Sequence, residues 1–342
     1  MKLFWKITAL MGMGLILAAS IITFPYLPAI SPVHDTGEQK EFIRYVEFNP
    51  CYAALDRALA EDIRAHEEGM ERNWIDTLSY LGAKYGGDFS RYRAQDMDEY
   101  FEKLDEGCRV EELTKDMKWF GYYREAYGAV LDGLVGEYTE ECEKDGEVVT
   151  EKKYGLKGFF PVAKNFAYEH YDDFGAQRTY GYTRQHLGHD IMAATGTPVI
   201  AIESGVVEVM GWNQYGGWRI GIRSGNGRRY YYYAHLRQNR PFAEGLEEGQ
   251  QVQAGQVIGY VGHTGYSTKE NVNNIKIPHL HVGLELIFDE SQKESDNEIW
   301  IDLYPLTQLL SRHCSETVRD DETKEYSRKY EFLEAADAEE KN

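Results

Sequence analysis

The hydrophobic pattern begins with an uninterrupted apolar segment at the amino end. Lys2 and Lys6 precede a run over residues 7–30 that contains no charged side chain. A helix of this length crosses the hydrocarbon layer of a membrane, so the pattern predicts a transmembrane anchor within residues 1–34. Positive charge before the run and acidic residues after it predict a cytoplasmic amino end and an extracytoplasmic remainder. A signal peptide cleaved near residues 17–20 is the alternative.

Residues 35–150 carry apolar side chains at the three- and four-residue spacing of amphipathic helices. Asn49-Pro50 combines a capping residue with a proline, which predicts the start of the first helix, and Gly69 predicts its end. Such stripes are typical of a small helical bundle rather than of a cofactor pocket. Three further helices are predicted, one before Gly86-Gly87, one over about residues 96–107, and one from Val110 toward Tyr138.

After a charged hinge over residues 140–153, the pattern changes to short β-prone runs separated by glycines. Ser224-Gly225-Asn226-Gly227 predicts a tight turn that joins two of these runs as a hairpin. Because no helical pattern intervenes, residues 151–312 are predicted to form an antiparallel β domain. The predicted strands cover residues 198–210, 219–222, 229–233, 256–261 and 281–287.

Residues 313–342 are rich in charge and poor in apolar side chains, which predicts a disordered tail, with a loosely held helix as the alternative. The chain is therefore expected to be an α+β multidomain protein with an anchor, a helical region, a β domain and a tail. A length of 342 residues suits two domains plus accessory segments. The formal net charge of -20 argues against nucleic-acid binding, because phosphate contacts need a basic face.

Four cysteines occur in the chain, and no two of them form a Cys-x-x-Cys pair. Their spacing is not that of a thiolate metal site, and in an oxidising exterior one or two disulfides can form. Three of the four lie in the helical region, so a disulfide joining helices is preferred here over free buried thiols, with no connectivity assigned. The cysteines are Cys51, Cys108, Cys142 and Cys314.

Two short motifs carry residues that suit a metal ion, namely His186-Leu187-Gly188-His189-Asp190 and His279-Leu280-His281. In an extended segment, the first histidine and the carboxylate of the first motif share a face, with only glycine between them. The two histidines of the second motif share a face in the same way. Two nitrogens and one oxygen would leave a fourth tetrahedral position open, which is typical of a catalytic zinc site.

These motifs resemble those of the M23 (LytM/lysostaphin-type) zinc metallopeptidases, which cleave peptides of bacterial peptidoglycan. The family's His-x-Gly-x-Asp pattern falls on residues 186–190, and its His-x-His pattern falls on residues 279–281. Tyr233-Ala234-His235-Leu236 is similar to a third family motif, Tyr-x-His-Leu. The resemblance covers about residues 174–288, and the ordered set of motifs is more specific than any single one.

The resemblance implies one zinc ion per chain, held by His186, Asp190 and His281. It also implies that His235 and His279 are catalytic without binding the metal. One would accept a proton from the attacking water and the other would stabilise the oxyanion, and the sequence leaves open which does which. On the residues alone, Tyr231, Tyr233 and His235 are expected to share a strand face, and His189 is expected to be structural.

The implied function is a membrane-anchored endopeptidase that hydrolyses peptide bonds in peptidoglycan. A non-catalytic LytM-like scaffold that binds cell wall or a partner protein is the alternative, and no regulatory partner is identified. One departure from the family pattern is the long, asparagine-rich loop over residues 266–278, which is expected to border the groove and to affect substrate preference. Arg178 and two tyrosines, Tyr180 and Tyr182, are further candidates for contacts near the site.

Overall fold

A computed structural model describes residues 43, 45–180, 182–293, 295 and 297–334, except for the side chains of Tyr180 and Tyr182. These residues belong to one compact unit, so the helical and β regions pack together. The predicted anchor over residues 1–34 lies outside the described residues. Within the described ranges, no helix combines the length and the apolar character needed to cross a membrane.

The described chain is mainly helical from Tyr52 to Leu131, and a further short helix lies near the carboxyl end. Two 3-10 turns, Phe89–Arg91 and Glu290–Gln292, accompany them. The α-helices are α1 (Tyr52–Glu68), α2 (Trp74–Tyr85), α3 (Ala94–Asp105), α4 (Val110–Thr114), α5 (Phe120–Leu131) and α6 (Tyr304–Leu310).

The strands occupy most of the remaining described chain. They are β1 (Val135–Lys144), β2 (Glu147–Leu156), β3 (Tyr168–His170), β4 (Gln177–Tyr180), β5 (Tyr182–Gln185), β6 (His189–Ala193), β7 (Pro198–Ile200), β8 (Gly205–Asn213), β9 (Gly217–Ser224), β10 (Arg229–Ala234), β11 (Gln251–Val252), β12 (Val257–Tyr260), β13 (His279–Leu286), β14 (Ile299–Ile301), β15 (Thr317–Arg319), β16 (Tyr326–Arg328) and β17 (Phe332–Glu334).

The first helix differs from its prediction at one end only. Cys51 is the residue before α1, and the Asn49 side chain donates to Glu47 at 2.6 Å rather than capping the helix. The predicted start at Asn49-Pro50 is therefore wrong by two residues. Gly69 ends α1 in the left-handed conformation, with φ 69°, which confirms the predicted end.

The predicted fourth helix is wrong in two places, because it is interrupted between α4 and α5 and because the chain turns into a β-hairpin after Leu131. Strands β1 and β2 pair antiparallel along their whole length. Asp145 and Gly146 both have positive φ, 52° and 85°, which suits the tight turn that joins β1 to β2. The predicted charged hinge is thus part of this hairpin, and the alternating charges on its exposed faces concealed the strand pattern.

The antiparallel β domain is confirmed, and its main sheet has eight strands in the order β11-β8-β9-β10-β13-β6-β3, with β14 also paired to β13. The turn at residues 224–227 joins β9 to β10 as predicted. One face of the sheet is core, where the side chains of Tyr231 and Tyr233 are fully buried. Because side chains alternate along a strand, Tyr232 and Ala234 face the opposite side together with His281.

A buried ion pair joins the helical region to this sheet. Arg229 at the start of β10 bonds the Glu203 carboxylate at 2.7 and 2.8 Å, and it donates to the Ala129 carbonyl of α5 at 3.1 Å. Tyr231 also donates to Glu203 at 2.8 Å. Removing one partner of such a pair costs about 3–5 kcal/mol, because the other charge stays buried. The helices therefore contact the end of β10 opposite to Ala234.

The predicted disorder of residues 313–342 is wrong as far as Glu334. Strand β17 pairs with β1, and Phe332 is buried beside Tyr138 and Phe159. The Ser315 hydroxyl is also buried and donates to the Gly255 carbonyl at 2.7 Å. Strand pairing and a few buried side chains thus order a segment whose average composition is polar. Residues 335–342 lie outside the described part of the chain.

The expected disulfide between helices is not formed. All four cysteines are free thiols. They lie in separate parts of the fold, before α1, after α3, in β1 and after α6. The predicted bridge is therefore absent from the structure, and the four thiols are unpaired.

Candidate metal and catalytic site

Three candidate ligands converge where β13 pairs with β6. In this register His281 lies directly opposite Asp190, and His186 precedes β6 by a two-residue connection. His186 Nε2 lies 3.0 Å from Asp190 Oδ1 and 2.9 Å from His281 Nδ1, and His281 Nδ1 lies 3.0 Å from Asp190 Oδ1. The structure thus brings His186, Asp190 and His281 into one cluster that could hold a metal ion.

Glycine at position 188 is required for this convergence. A Cβ atom built there would lie 2.5 and 2.6 Å from two atoms of the His281 ring and 2.9 Å from the Val282 carbonyl oxygen. Real Cβ atoms do not approach other atoms so closely, so any side chain would push β13 away. The absence of a side chain lets the segment from His186 to Asp190 lie flat against the facing histidine.

The ligand atoms are arranged as a cation would need them. His186 Nδ1 faces the Asp173 carbonyl oxygen at 3.1 Å, so Nδ1 carries a proton and Nε2 is the nitrogen that faces the Asp190 carboxylate. A metal ion would take the place of the proton that Nε2 otherwise holds beside this carboxylate. Ligand atoms around a tetrahedral zinc with bonds of about 2.0–2.1 Å are roughly 3.3 Å apart. The three distances of 2.9–3.0 Å between the ligand atoms are close to this value.

The local field also favours a cation. Burial lowers the pKa of His186, but the Asp173 and Asp190 carboxylates more than offset this effect and raise it to about 9. Burial raises the pKa of Asp190, whereas His186 and His281 hold it well below its ordinary value. A field that draws a proton to an imidazole also draws a metal ion, which competes for the same nitrogen.

Asp173 is a supporting residue that sequence reasoning missed. It is buried, its carboxylate lies 3.2 Å from His186 Nδ1, and its other oxygen accepts from the Asp190 amide at 3.3 Å. Arg178 bridges the same carboxylate at 2.7 Å and Asp190 Oδ2 at 3.3 Å. Asp173 therefore fixes the orientation of two ligands at once. Its separation of 13 residues from His186 follows no motif, so only the folded chain reveals the contact.

We expect Asp173→Asn to weaken metal binding by about 10- to 100-fold, the range seen when a ligand loses its supporting carboxylate. The measurement is competition for the metal against a chelator of known affinity. Asp172→Asn is the matched control, because Asp172 is the adjacent residue and is exposed. Equal affinity in both variants would contradict the supporting role of Asp173.

Two further histidines line the same site without joining the ligand cluster. The His235 ring lies 4.9 Å from the His279 ring and 5.7 Å from the His281 ring, measured between centroids. His235 Nδ1 faces the Thr264 carbonyl at 2.9 Å, and His279 Nδ1 faces the Ile277 carbonyl at 2.8 Å. Both rings therefore carry the proton on Nδ1 and present a basic Nε2.

The two histidines reach the site by different routes. His279 shares the strand face of His281, as predicted, and its Nε2 lies 3.7 Å from Asp190 Oδ1. His235 was predicted to share a face with Tyr231 and Tyr233, which is wrong because those tyrosines point into the core. His235 follows the last residue of β10 with φ 61°, and this left-handed turn swings its ring to the other side.

Burial keeps His235 neutral. It holds the pKa of this imidazole well below its ordinary value, and the neighbouring His279 and His281 lower it further. A neutral imidazole with a free nitrogen can accept a proton at neutral pH. His189, by contrast, is buried on the other face of β6, where its Nε2 lies 2.9 Å from His170 Nδ1.

The long loop over residues 266–278 borders the site, as expected. Its first residue, Tyr266, places its ring 5.8 Å from that of His235. Asn271 fixes the loop to its surroundings, because its side-chain oxygen accepts from the Trp218 indole at 2.9 Å and from the Asn239 amide at 2.8 Å. The asparagine-rich composition thus supplies side-chain hydrogen bonds that replace regular secondary structure.

Comparison with known proteins points to one family. Residues 184–294 match the profile of peptidase family M23. Over 155 residues the chain is 40% identical to the L-Ala–D-Glu endopeptidase of Bacillus subtilis (strain 168), a match that covers 45% of this chain and 44% of that protein. Over 97 residues it is 40% identical to lysostaphin of Staphylococcus simulans, covering 28% of this chain and 17% of that protein. The chain thus spans less than half the length of these relatives.

A solved LytM structure from Ruminococcus gnavus ATCC 29149 shares the fold. It superposes with a TM-score of 0.51 at 22% identity, covering 78% of this chain and 90% of that one. The coverage extends beyond the segment that matches the family profile. The likeness therefore includes part of the chain outside residues 184–294.

Proposed function

We propose, on the premise that residues 184–294 form a domain of peptidase family M23, that this protein is a zinc metalloendopeptidase of bacterial peptidoglycan. The observation that carries the proposal is the cluster of His186, Asp190 and His281 beside two histidines with basic nitrogens. The names of the similar proteins support the reaction class, because they describe an L-Ala–D-Glu endopeptidase and lysostaphin. The proposed substrate is a peptide of the cell wall.

The three ligands would hold one zinc ion through two neutral imidazoles and one carboxylate. Such a centre keeps a net positive charge. A bound zinc ion would lower the pKa of a water molecule beside it and polarise the carbonyl group of the substrate. Asp173 and Arg178 hold the ligands in place through the contacts described above. Because only three side chains would hold the metal, the site would leave room for water and substrate.

His235 and His279 supply the acid–base chemistry. One Nε2 can accept the proton of the attacking water and later return it to the departing amine. The other ring would stabilise the negative oxygen of the tetrahedral intermediate in its imidazolium form, in which Nε2 carries a second proton and donates it in a hydrogen bond to that oxygen. The backbone carbonyls at Thr264 and Ile277 hold the rings so that both nitrogens face the site. Reorientation before reaction is therefore small, which lowers the activation barrier.

Digestion of purified peptidoglycan tests the proposal. The full chain, loaded with zinc, is incubated with sacculi, and new amino groups and released peptides are identified by mass spectrometry. We expect peptide release that a chelator abolishes and that added zinc restores. Metal binding without any release would contradict the enzyme and favour the scaffold that binds wall or a partner protein.

We also propose that residues 1–34 anchor the protein in the membrane and leave the catalytic domain outside it. The support is the uncharged run over residues 7–30 with lysines before it. In cells that express the full chain, we expect the protein to stay in the membrane pellet after an alkaline wash and to be degraded by external protease. A variant that begins at residue 35 is the control. Recovery of the full chain in the soluble fraction would contradict the anchor.

A further inference from the structure

Two arginines lie beside the candidate metal site without a carboxylate partner in the described part of the chain. Neither Arg184 nor Arg219 has a carboxylate oxygen of a described residue within the 4.0 Å of an ion pair, although the chain carries a net charge of -20. The Nε–H group of each is buried and has no hydrogen-bond acceptor among the described residues. A buried donor without an acceptor is costly, and such groups in native proteins call for an explanation.

Arg184 lies in β5, two residues before the ligand His186. Its guanidinium group lies 5.1 Å from the ring centres of both Tyr215 and Tyr266, and its Nη2 donates to the Tyr266 hydroxyl at 2.7 Å. Tyr266 in turn packs beside His235. The two rings hold the cation next to the candidate catalytic histidines, and no described residue accepts from its Nε–H.

Arg219 approaches the same place from β9. Its guanidinium carbon lies 6.0 Å from the ring centre of Tyr232, and that ring lies 5.9 Å from the ring of His281. The Tyr232 hydroxyl accepts from the Asn213 side-chain amide at 3.2 Å and lies so close to Gly216 that a Cβ atom built there would collide with it. Gly216 follows Tyr215, whose ring faces Arg184, so the two cations lie on either side of this turn beside a candidate metal ligand.

A third arginine shows what is unusual about this pair. Arg223 lies four residues after Arg219 on the same strand and the same face. Its guanidinium is already occupied, because it bonds the Glu208 carboxylate at 2.7 and 3.2 Å. An arginine that is fixed by aromatic rings and lacks its own carboxylate is suited to take one from a ligand, through short charge-assisted hydrogen bonds.

We propose that Arg184 and Arg219 form an anion subsite that binds a free carboxylate of the substrate peptide beside the scissile bond. This inference rests on the proposed peptidase function and narrows its substrate class. The preferred substrates are wall peptides that carry an ionised acidic side group or α-carboxylate near the cleaved bond. Amidated stems and neutral glycine bridges lack the group that would occupy the subsite.

The test compares untreated sacculi with sacculi whose carboxylates have been converted to amides by carbodiimide and ammonium. We expect wild-type protein to release peptides from untreated sacculi about 10- to 100-fold faster at subsaturating substrate, as for the loss of a charge-assisted hydrogen bond. Overall charge repulsion predicts the opposite order, because amidation removes negative charge from a wall that faces an acidic protein. A preference for free carboxylates would therefore come from the arginine subsite and not from the overall charge of the protein.

Four variants locate the preference. In Arg184→Gln and Arg219→Gln the ratio of the two rates should fall close to one, whereas Arg223→Gln should keep the wild-type ratio. Arg219→Lys, which retains charge but not the planar fork, should give an intermediate ratio. Equal wild-type rates on the two sacculi, or a ratio that survives in both glutamine variants, would overturn the subsite alone. No release from either kind of sacculus would overturn the proposed function and the subsite with it.

Discussion

Replacement of His281 by alanine is expected to abolish both zinc binding and peptide release. His281 Nδ1 lies 2.9–3.0 Å from the donor atoms of the other two ligands, so its loss leaves only one imidazole and one carboxylate. Two protein ligands hold zinc far more weakly than three, because each missing donor is replaced by water. The measurements are zinc content after dialysis and the rate of release of new amino groups from sacculi.

His66→Ala is the control for this substitution. His66 is exposed in α1 and stacks on Tyr154 at 3.7 Å, so its removal also deletes an imidazole but leaves the site intact. It should keep full zinc content and activity. A His281→Ala protein that retained one tightly bound zinc would show that the metal lies elsewhere.

Replacement of His279 by alanine is expected to separate metal binding from catalysis. The variant should keep one zinc ion, because His279 is not within the ligand cluster. Its hydrolysis rate should fall by about 10²- to 10⁴-fold, the contribution of a positioned proton-transfer group. Zinc content and single-turnover rates on sacculi measure the two effects independently.

His263→Ala is the matched control. His263 also hydrogen-bonds a backbone carbonyl, that of Ile275 at 2.8 Å, but it is neither a candidate ligand nor one of the two candidate catalytic histidines. Combining His279→Ala with His235→Ala should cost less than the product of the two single losses, since groups that act in one step are not additive. Loss of zinc from His279→Ala would contradict its role as a non-ligand. Unchanged hydrolysis would contradict its role in catalysis.

The ligand motifs could be found from sequence because each is local and dictated by geometry. Gly188 is required by the close approach of His281, whereas the pairing of β6 with β13 that joins the two motifs is visible only in the folded chain. Asp173 could not be found in this way, since it meets His186 only after the β4–β5 hairpin has folded. The arginine pair could not be predicted either, because Arg184 and Arg219 lie on separate strands and their separation in the sequence matches no motif.

Backbone conformation accounts for the error at His235. Strand alternation placed its side chain with Tyr231 and Tyr233, but a positive φ of 61° directly after the strand reverses the direction of the ring. Alternation fails wherever a strand ends, and this end lies at the catalytic site. The motif located the right residue, while the periodicity gave the wrong face.

The errors at the two ends of the β region have a different cause. The β1–β2 hairpin is exposed and charged, so neither strand shows a run of apolar residues. The segment near Phe332 is polar on average, yet one buried ring and the pairing of β17 with β1 order it. Composition reports the mean of a segment, whereas a single well-placed side chain decides whether it packs.

X-ray absorption at the zinc edge of the zinc-loaded full chain tests the central claim most directly. A site built from His186, Asp190 and His281 predicts about four nitrogen or oxygen neighbours at roughly 2.0–2.1 Å, of which two show imidazole scattering. It also predicts that this signature disappears in His281→Ala. Sulfur neighbours at about 2.3 Å, or an unchanged spectrum in the variant, would contradict the three-ligand site.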